Sequence, residues 1–132
     1  MHIRFLTAHI MKFKLLVLTA VLCIFTTGCS KFSGNDLADT RWTGEFISSD
    51  FEDGEKNEVS FEFFNGKADF VYLVYGEQYP EKGVLLYTAT ESTITFSKAN
   101  DDLNGQWTIS SQKGKDMTLT RTNMTINLRK RQ

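Results

Sequence analysis

The sequence predicts an all-β domain, a small eight-stranded antiparallel up-and-down barrel, on three observations. Apolar and polar side chains alternate with period two over most of the chain after Asp39. Gly, Asn, Asp and Lys separate most of the alternating runs, and no ten-residue stretch beyond the leader carries a helical stripe. Closure into a barrel removes the exposed edges that an open sheet of this order would leave. A two-sheet β-sandwich is the alternative, because strand patterns do not separate the two. With 132 residues, 41% hydrophobic and 23% charged, the chain suits one folded core.

The first element is a leader over residues 1–28. It has the cationic "MKFK" at Met11 to Lys14, the apolar "LLVLTAVLCIF" at Leu15 to Phe25 and the small residues "TTG" at Thr26 to Gly28. The apolar run is too short to span a bilayer, which takes about 20 residues. Met11 is a second start, and the leader reads best from there. The stretch "TTGC" resembles the lipobox of bacterial lipoproteins, with Thr26 where Leu is usual. That resemblance implies cleavage before Cys29, lipidation of its thiol and a tether over residues 29–36, with the domain occupying 37–132. An ordinary signal peptide with an incidental cysteine is the alternative. Acyl chains hold because each buried methylene contributes roughly 0.8 kcal/mol. "SKFSGN" after the cysteine lacks the acidic run that directs some envelope lipoproteins to the surface, so the expected place is the cell envelope, on the periplasmic side of the outer membrane.

The strands follow. "RWTGEFI" sets Trp42, Gly44 and Phe46 on one face, and "EVSFEFF" sets Val59, Phe61 and Phe63 against Ser60, Glu62 and Phe64. Asn65 and Gly66 then predict a two-residue type I′ hairpin turn, since both residue types tolerate positive φ. That turn pairs Phe63 with Ala68, Phe61 with Phe70 and Val59 with Tyr72, which unites the apolar faces of both strands. Further strands are expected at "GVLLYTA", "TITFS", "QWTIS", "DMTLTR" and "MTINLRK". A turn at Thr122–Asn123 would pair Leu119 with Ile126 and Met117 with Leu128. A meander opening with "DTRWTGEF" and ending on basic residues resembles the lipocalin-like domains of small bacterial lipoproteins, over Leu37 to Lys130. Thr40 stands where the family's G-x-W has Gly. The resemblance implies a basic side chain, Arg129 or Lys130, over Trp42 at the barrel bottom.

Cleavage before Cys29 would remove Cys23, His2 and His9, leaving neither a histidine nor a free thiol. Imidazole bases, thiolate nucleophiles, disulfides and the usual zinc sites are thereby excluded, and no cofactor is expected. The mature chain holds 12 Lys and Arg against 16 Asp and Glu, so a general grip on nucleic acid or an anionic membrane is not expected. "RKRQ" at Arg129 to Gln132 reads as a solvated end. The acidic "DFEDGE" and "NDDLNG" loops match no complete calcium motif, and Glu62 and Asp69 would lie opposite each other on the outer face, so the chain reads as non-enzymatic.

Two function classes remain. In the first, an outer apolar face formed by Val71, Leu73 and Tyr75 docks an envelope protein or a second copy of the chain. The following strand "GVLLY" would add either Val84 and Leu86 or Leu85 and Tyr87 to it. In the alternative, a small apolar or amphipathic ligand enters the barrel mouth among Trp42, Phe61, Phe70, Tyr72 and Trp107, with Arg121 available to an anionic group. A barrel of eight strands is just wide enough to fill with side chains or to hold one small ligand.

Overall fold

The computed structural model describes residues 34–132, so the expected leader and the expected lipidation site, Cys29, lie outside the described residues. One helical turn, α1 (Gly34–Leu37), precedes β1 (Thr40–Ser48), β2 (Asn57–Phe63), β3 (Lys67–Leu73), β4 (Glu81–Ala89), β5 (Thr93–Ser97), β6 (Gly105–Lys113), β7 (Asp116–Arg121) and β8 (Met124–Arg131). Each strand pairs antiparallel with its successor, and β8 returns to β1, closing the barrel in sequence order. The sandwich alternative is thereby excluded.

The alternation seen in the sequence becomes the inside and outside of this barrel. β2 reads buried at Asn57, Val59, Phe61 and Phe63, and β3 at Ala68, Phe70 and Tyr72. Phe63 pairs with Ala68, Phe61 with Phe70 and Val59 with Tyr72, while Leu119 pairs with Ile126 and Met117 with Leu128, as the turns predict. The turn at Asn65–Gly66 is nevertheless not type I′, since only Gly66 takes positive φ, at 78°. Its carbonyls serve β4: Tyr87 N–H donates to Gly66 O (3.1 Å) and Tyr87 Oη–H to Phe64 O (2.5 Å). Those tertiary bonds outweigh the twist preference of an isolated hairpin.

Closure runs through eight β1–β8 pairs, from Arg41 opposite Arg131 to Ser48 opposite Met124. Here Gly44 is required for space. A Cβ at Gly44 would lie 1.7 Å from the Asn127 carbonyl oxygen, so only a residue without one lets the two backbones approach this closely.

Because the strands form a meander, their connections alternate between two ends. The entry end carries α1, the β2–β3, β4–β5 and β6–β7 turns and the end of β8; the far end carries the β1–β2, β3–β4, β5–β6 and β7–β8 connections. The first three residues of α1 fall in the stretch expected as tether, and Leu37, where the domain is expected to begin, is fully buried.

Candidate functional site

Inward-facing aromatics fill the barrel between its ends. Trp42, Phe61, Phe70, Tyr72 and Trp107 are exposed by 4% or less. Phe61 stacks on Phe96 (5.1 Å between centroids) and Phe63 (5.4 Å), and Phe46 meets Tyr72 (5.8 Å) and Trp107 (5.7 Å) edge to face. Such pairs contribute roughly 0.5–1.5 kcal/mol each beyond area burial. The residues expected to line a ligand mouth are therefore part of one buried core cluster, with Phe46, Phe63 and Phe96 as ring partners.

Each end is closed by a leucine that a tryptophan holds. At the entry end, Trp42 Nε1–H donates to Thr40 Oγ1 (2.9 Å), whose own hydroxyl donates to Leu37 O (2.5 Å). Thr40, which departs from the G-x-W pattern, is the bridge that ties α1 to the barrel. At the far end, Trp107 Nε1–H donates to Leu103 O (2.9 Å), and Leu103 is fully buried. The loop that carries it, residues 98–104, is shaped by its own amides: Asn100 Oδ1 accepts from Leu103 N–H (2.8 Å) and Asn104 Oδ1 from Ala99 N–H (2.8 Å). These bonds give both amides of "NDDLNG" a role in the turn; among the described residues no group of three or more His, Cys, Asp and Glu is placed to hold a metal ion.

Polar groups at the far end lock that loop down. Tyr75 N–H donates to Asn57 Oδ1 (2.7 Å), Asn57 Nδ2–H to Tyr72 Oη (2.7 Å), and Tyr72 Oη–H to Asp102 Oδ2 (2.8 Å). Burial pushes the Tyr72 phenol far above its ordinary range; the Asn57 donor opposes that shift and the Asp102 carboxylate adds to it. Arg121 completes the lock. Its guanidinium carbon lies 4.1 Å from the Trp107 ring centroid, Nη1 donates to Asn104 O (2.6 Å) and Nη2 to Asp102 O. Desolvation lowers the Arg121 pKa, with the Asp102 charge acting in the opposite sense. The one cation over a tryptophan ring among the described contacts is thus at the far end. Lys130 does lie across from Trp42 in the β1–β8 ladder, but its side chain is exposed, and Arg129 pairs with Thr43.

On the outer face, β3 and β4 adjoin, and register settles the choice left open on β4. Leu85 and Tyr87 are buried, Leu86 is half-buried and Val84 is 57% exposed. Val71 and Leu73 are half-buried; Tyr75, 60% exposed, lies beyond the end of β3 in the β3–β4 connection, as does Tyr79 at 78%. Charges divide this face. Val71 sits opposite Lys82 and Val84 opposite Asp69, while Leu73 faces Glu58. Val71 also edges a shallow groove of about 370 Å³ lined by Arg41, Ser60, Glu62, Asp69 and Arg131. Within it Glu62 pairs with Arg41 at 3.6 Å on the exposed surface.

Sequence reasoning singled out the inward aromatics and Arg121 but missed Leu37, Leu103, Asn57 and Thr40. A signal was present: "NDLAD" and "NDDLN" each set one leucine in an otherwise polar, turn-forming segment. An apolar residue isolated there has reason to point back into a core. Compared with known proteins, the chain matches no family model, no curated protein and no solved structure.

Proposed function

We propose that this protein is a lipid-anchored, non-enzymatic interaction module of the bacterial cell envelope, a lipocalin-like lipoprotein held through Cys29 that docks a protein partner with its outer face. The observation that supports the choice is the filled interior with a leucine in each end: recognition by a solid barrel falls to the outside. The docking surface is the β3–β4 side, from Val71 and Leu73 to Tyr75, Tyr79 and Val84. Exposed tyrosines supply contact area with a polar end and are enriched at interfaces. Glu58, Glu77 and Glu81 surround them, so the partner presents apolar groups flanked by basic ones.

The test is photocrosslinking in cells from a probe placed at Tyr79, with a second probe at Gln106 as control. A specific adduct at Tyr79 that the double substitution Val71→Lys, Leu73→Glu abolishes is expected. If the folded variant retains every adduct and the purified wild-type protein carries a stoichiometric small molecule, the ligand-binding alternative replaces this reading. The anchor is checked by the mass of the N-terminal peptide, which is to begin at an acylated Cys29.

A further inference from the structure

Net charge hides how the charges of this barrel are arranged. Counted by strand position, the far half carries ten Asp and Glu against four Lys and Arg, while the entry half carries six against seven. Within the entry half the cations are gathered on one side. The β6–β7 turn places Lys113 and Lys115 beside the end of β8, where Lys130 N–H donates to Lys115 O (2.7 Å), and Arg129, Lys130 and Arg131 follow along that strand. All five side chains are exposed, and none is within ion-pair distance of an acid among the described residues; Asp116, opposite Arg129, is the acid nearest in register. Phe64, 40% exposed, stands in the β2–β3 turn at the same end.

This is also the end at which the chain enters. Gly34 begins α1 there, five residues after Cys29. A chain spans at most about 3.6 Å per residue, so an acylated Cys29 keeps α1 within roughly 18 Å of the lipid surface. We propose that the entry end is a membrane-facing surface: Lys113, Lys115, Arg129, Lys130 and Arg131, with Phe64 at the rim, seat it on an anionic phospholipid bilayer and hold the acidic far end away. The inference rests on the tether reading for its geometry and departs from the expectation, drawn from net charge, that an anionic membrane is not gripped.

Screening makes the arrangement effective. Nine residues of β1, at about 3.3 Å each, put the two ends some 20–30 Å apart depending on strand tilt. The Debye length at physiological salt is about 8 Å. With the entry end down, the cations lie inside the surface potential and most far-end acids lie outside it; inverted, the acids are repelled. Each cation near an anionic leaflet favours contact by roughly fivefold, so reversing three of them changes the orientational preference by roughly 100-fold or more. The seated orientation also leaves Tyr75 and Tyr79, at the far end, open to a partner in the aqueous phase.

The acylated mature protein is reconstituted in phosphatidylcholine vesicles with and without 30 mol% phosphatidylglycerol, a composition chosen on the order of a typical anionic surface. Cys29 being acylated, a single cysteine at Asn65→Cys (entry end) or Gln78→Cys (far end) takes a fluorophore uniquely, and nitroxide lipids quench whichever label approaches the bilayer. Stronger quenching at residue 65 than at 78, enhanced by phosphatidylglycerol and reduced by 0.5 M salt or by Lys113→Glu, Lys115→Glu, Lys130→Glu, is the expected result. Equal quenching at both positions, or a contrast indifferent to lipid charge and to the triple substitution, overturns the proposal. If mass spectrometry finds Cys29 unacylated, the tether reading fails separately. The same chain is then sedimented with both vesicles: salt-sensitive binding to the anionic ones alone, lost in the triple variant, upholds the surface, and equal or absent binding overturns it.

Discussion

Leu103→Ala measures whether the β5–β6 loop is a plug or a lid. The side chain is fully buried, and its carbonyl accepts the Trp107 indole N–H, so truncation removes three carbons from a closed interior without altering that hydrogen bond. At about 0.8 kcal/mol per buried carbon the transfer loss is about 2.4 kcal/mol. Cavity formation adds to it, and leucine truncations in cores cost about 2.7–5 kcal/mol. The loop can relax inward because it is a connection and not a strand, so the expected loss is near the lower bound, about 3 kcal/mol. For a domain of about 100 residues this lowers Tm by roughly 12–24 °C. Guanidinium melts followed by tryptophan fluorescence, to which Trp42 and Trp107 both contribute, and by far-ultraviolet dichroism give the value, and unchanged slopes confirm that the compactness of both states is unaltered. A loss below about 1 kcal/mol, small against that range, together with uptake of an apolar dye would refute the reasoning. The loop would then be a lid over a mouth that opens, and the inward aromatics would return as ligand contacts.

Two further outcomes follow from the seam and from the buried phenol. Gly44→Ala places a Cβ against the Asn127 carbonyl and is expected to cost about 3 kcal/mol or more, read as a fall in expression and in the denaturation midpoint; a variant with wild-type stability would mean that the β1–β8 approach is looser than described. Tyr72 has a folded pKa above its unfolded value of 10.0, so the stability it confers is complete below pH 10 and is lost as pH rises beyond it. The loss approaches about 1.4 kcal/mol per pH unit for each such group. Tyr87, also raised by burial, acts in the same sense. Tyr72→Phe is expected to cost about 1–3 kcal/mol at pH 7, since Asn57 and Asp102 lose their common partner, yet to flatten the decline above pH 10. Parallel declines in wild type and variant would remove Tyr72 from the account.

Register and facing were legible in the sequence because they are local: a two-residue connection between alternating strands leaves one pairing that buries both apolar faces, and Phe61–Phe70 and Leu119–Ile126 obey it. The turn type at Asn65–Gly66 was not legible, because hydrogen bonds from Tyr87, 21 residues after Gly66, decide it. Nor were the plugs, whose leucines answer to a void at a barrel end and not to a period. The outer apolar row was visible on β3, but its continuity was not. Lys82 and Asp69 interrupt it through the β3–β4 register, which a seven-residue connection ahead of β4 leaves undetermined in the sequence.

The distribution of charge lies between these cases. A meander sends alternate connections to opposite ends, so once the strands are placed, the acids of the β1–β2 loop (Asp50, Glu52, Asp53, Glu55) and those of the β5–β6 loop (Asp101, Asp102) must share one end. Lys113 and Lys115 must share the other with the end of β8. Neither closure nor side-chain packing is needed for that deduction. Closure adds the adjacency of β1 and β8, which brings Arg41 opposite Arg131 and extends the basic side of the entry end toward the strand where the chain arrives. The same seam that Gly44 permits therefore places the cations next to the entry of the expected tether, and a substitution that opens it is expected to disturb the fold and the proposed membrane-facing surface together. Charge reversal at Lys113, Lys115 and Lys130 leaves the seam intact, and for that reason it separates the two.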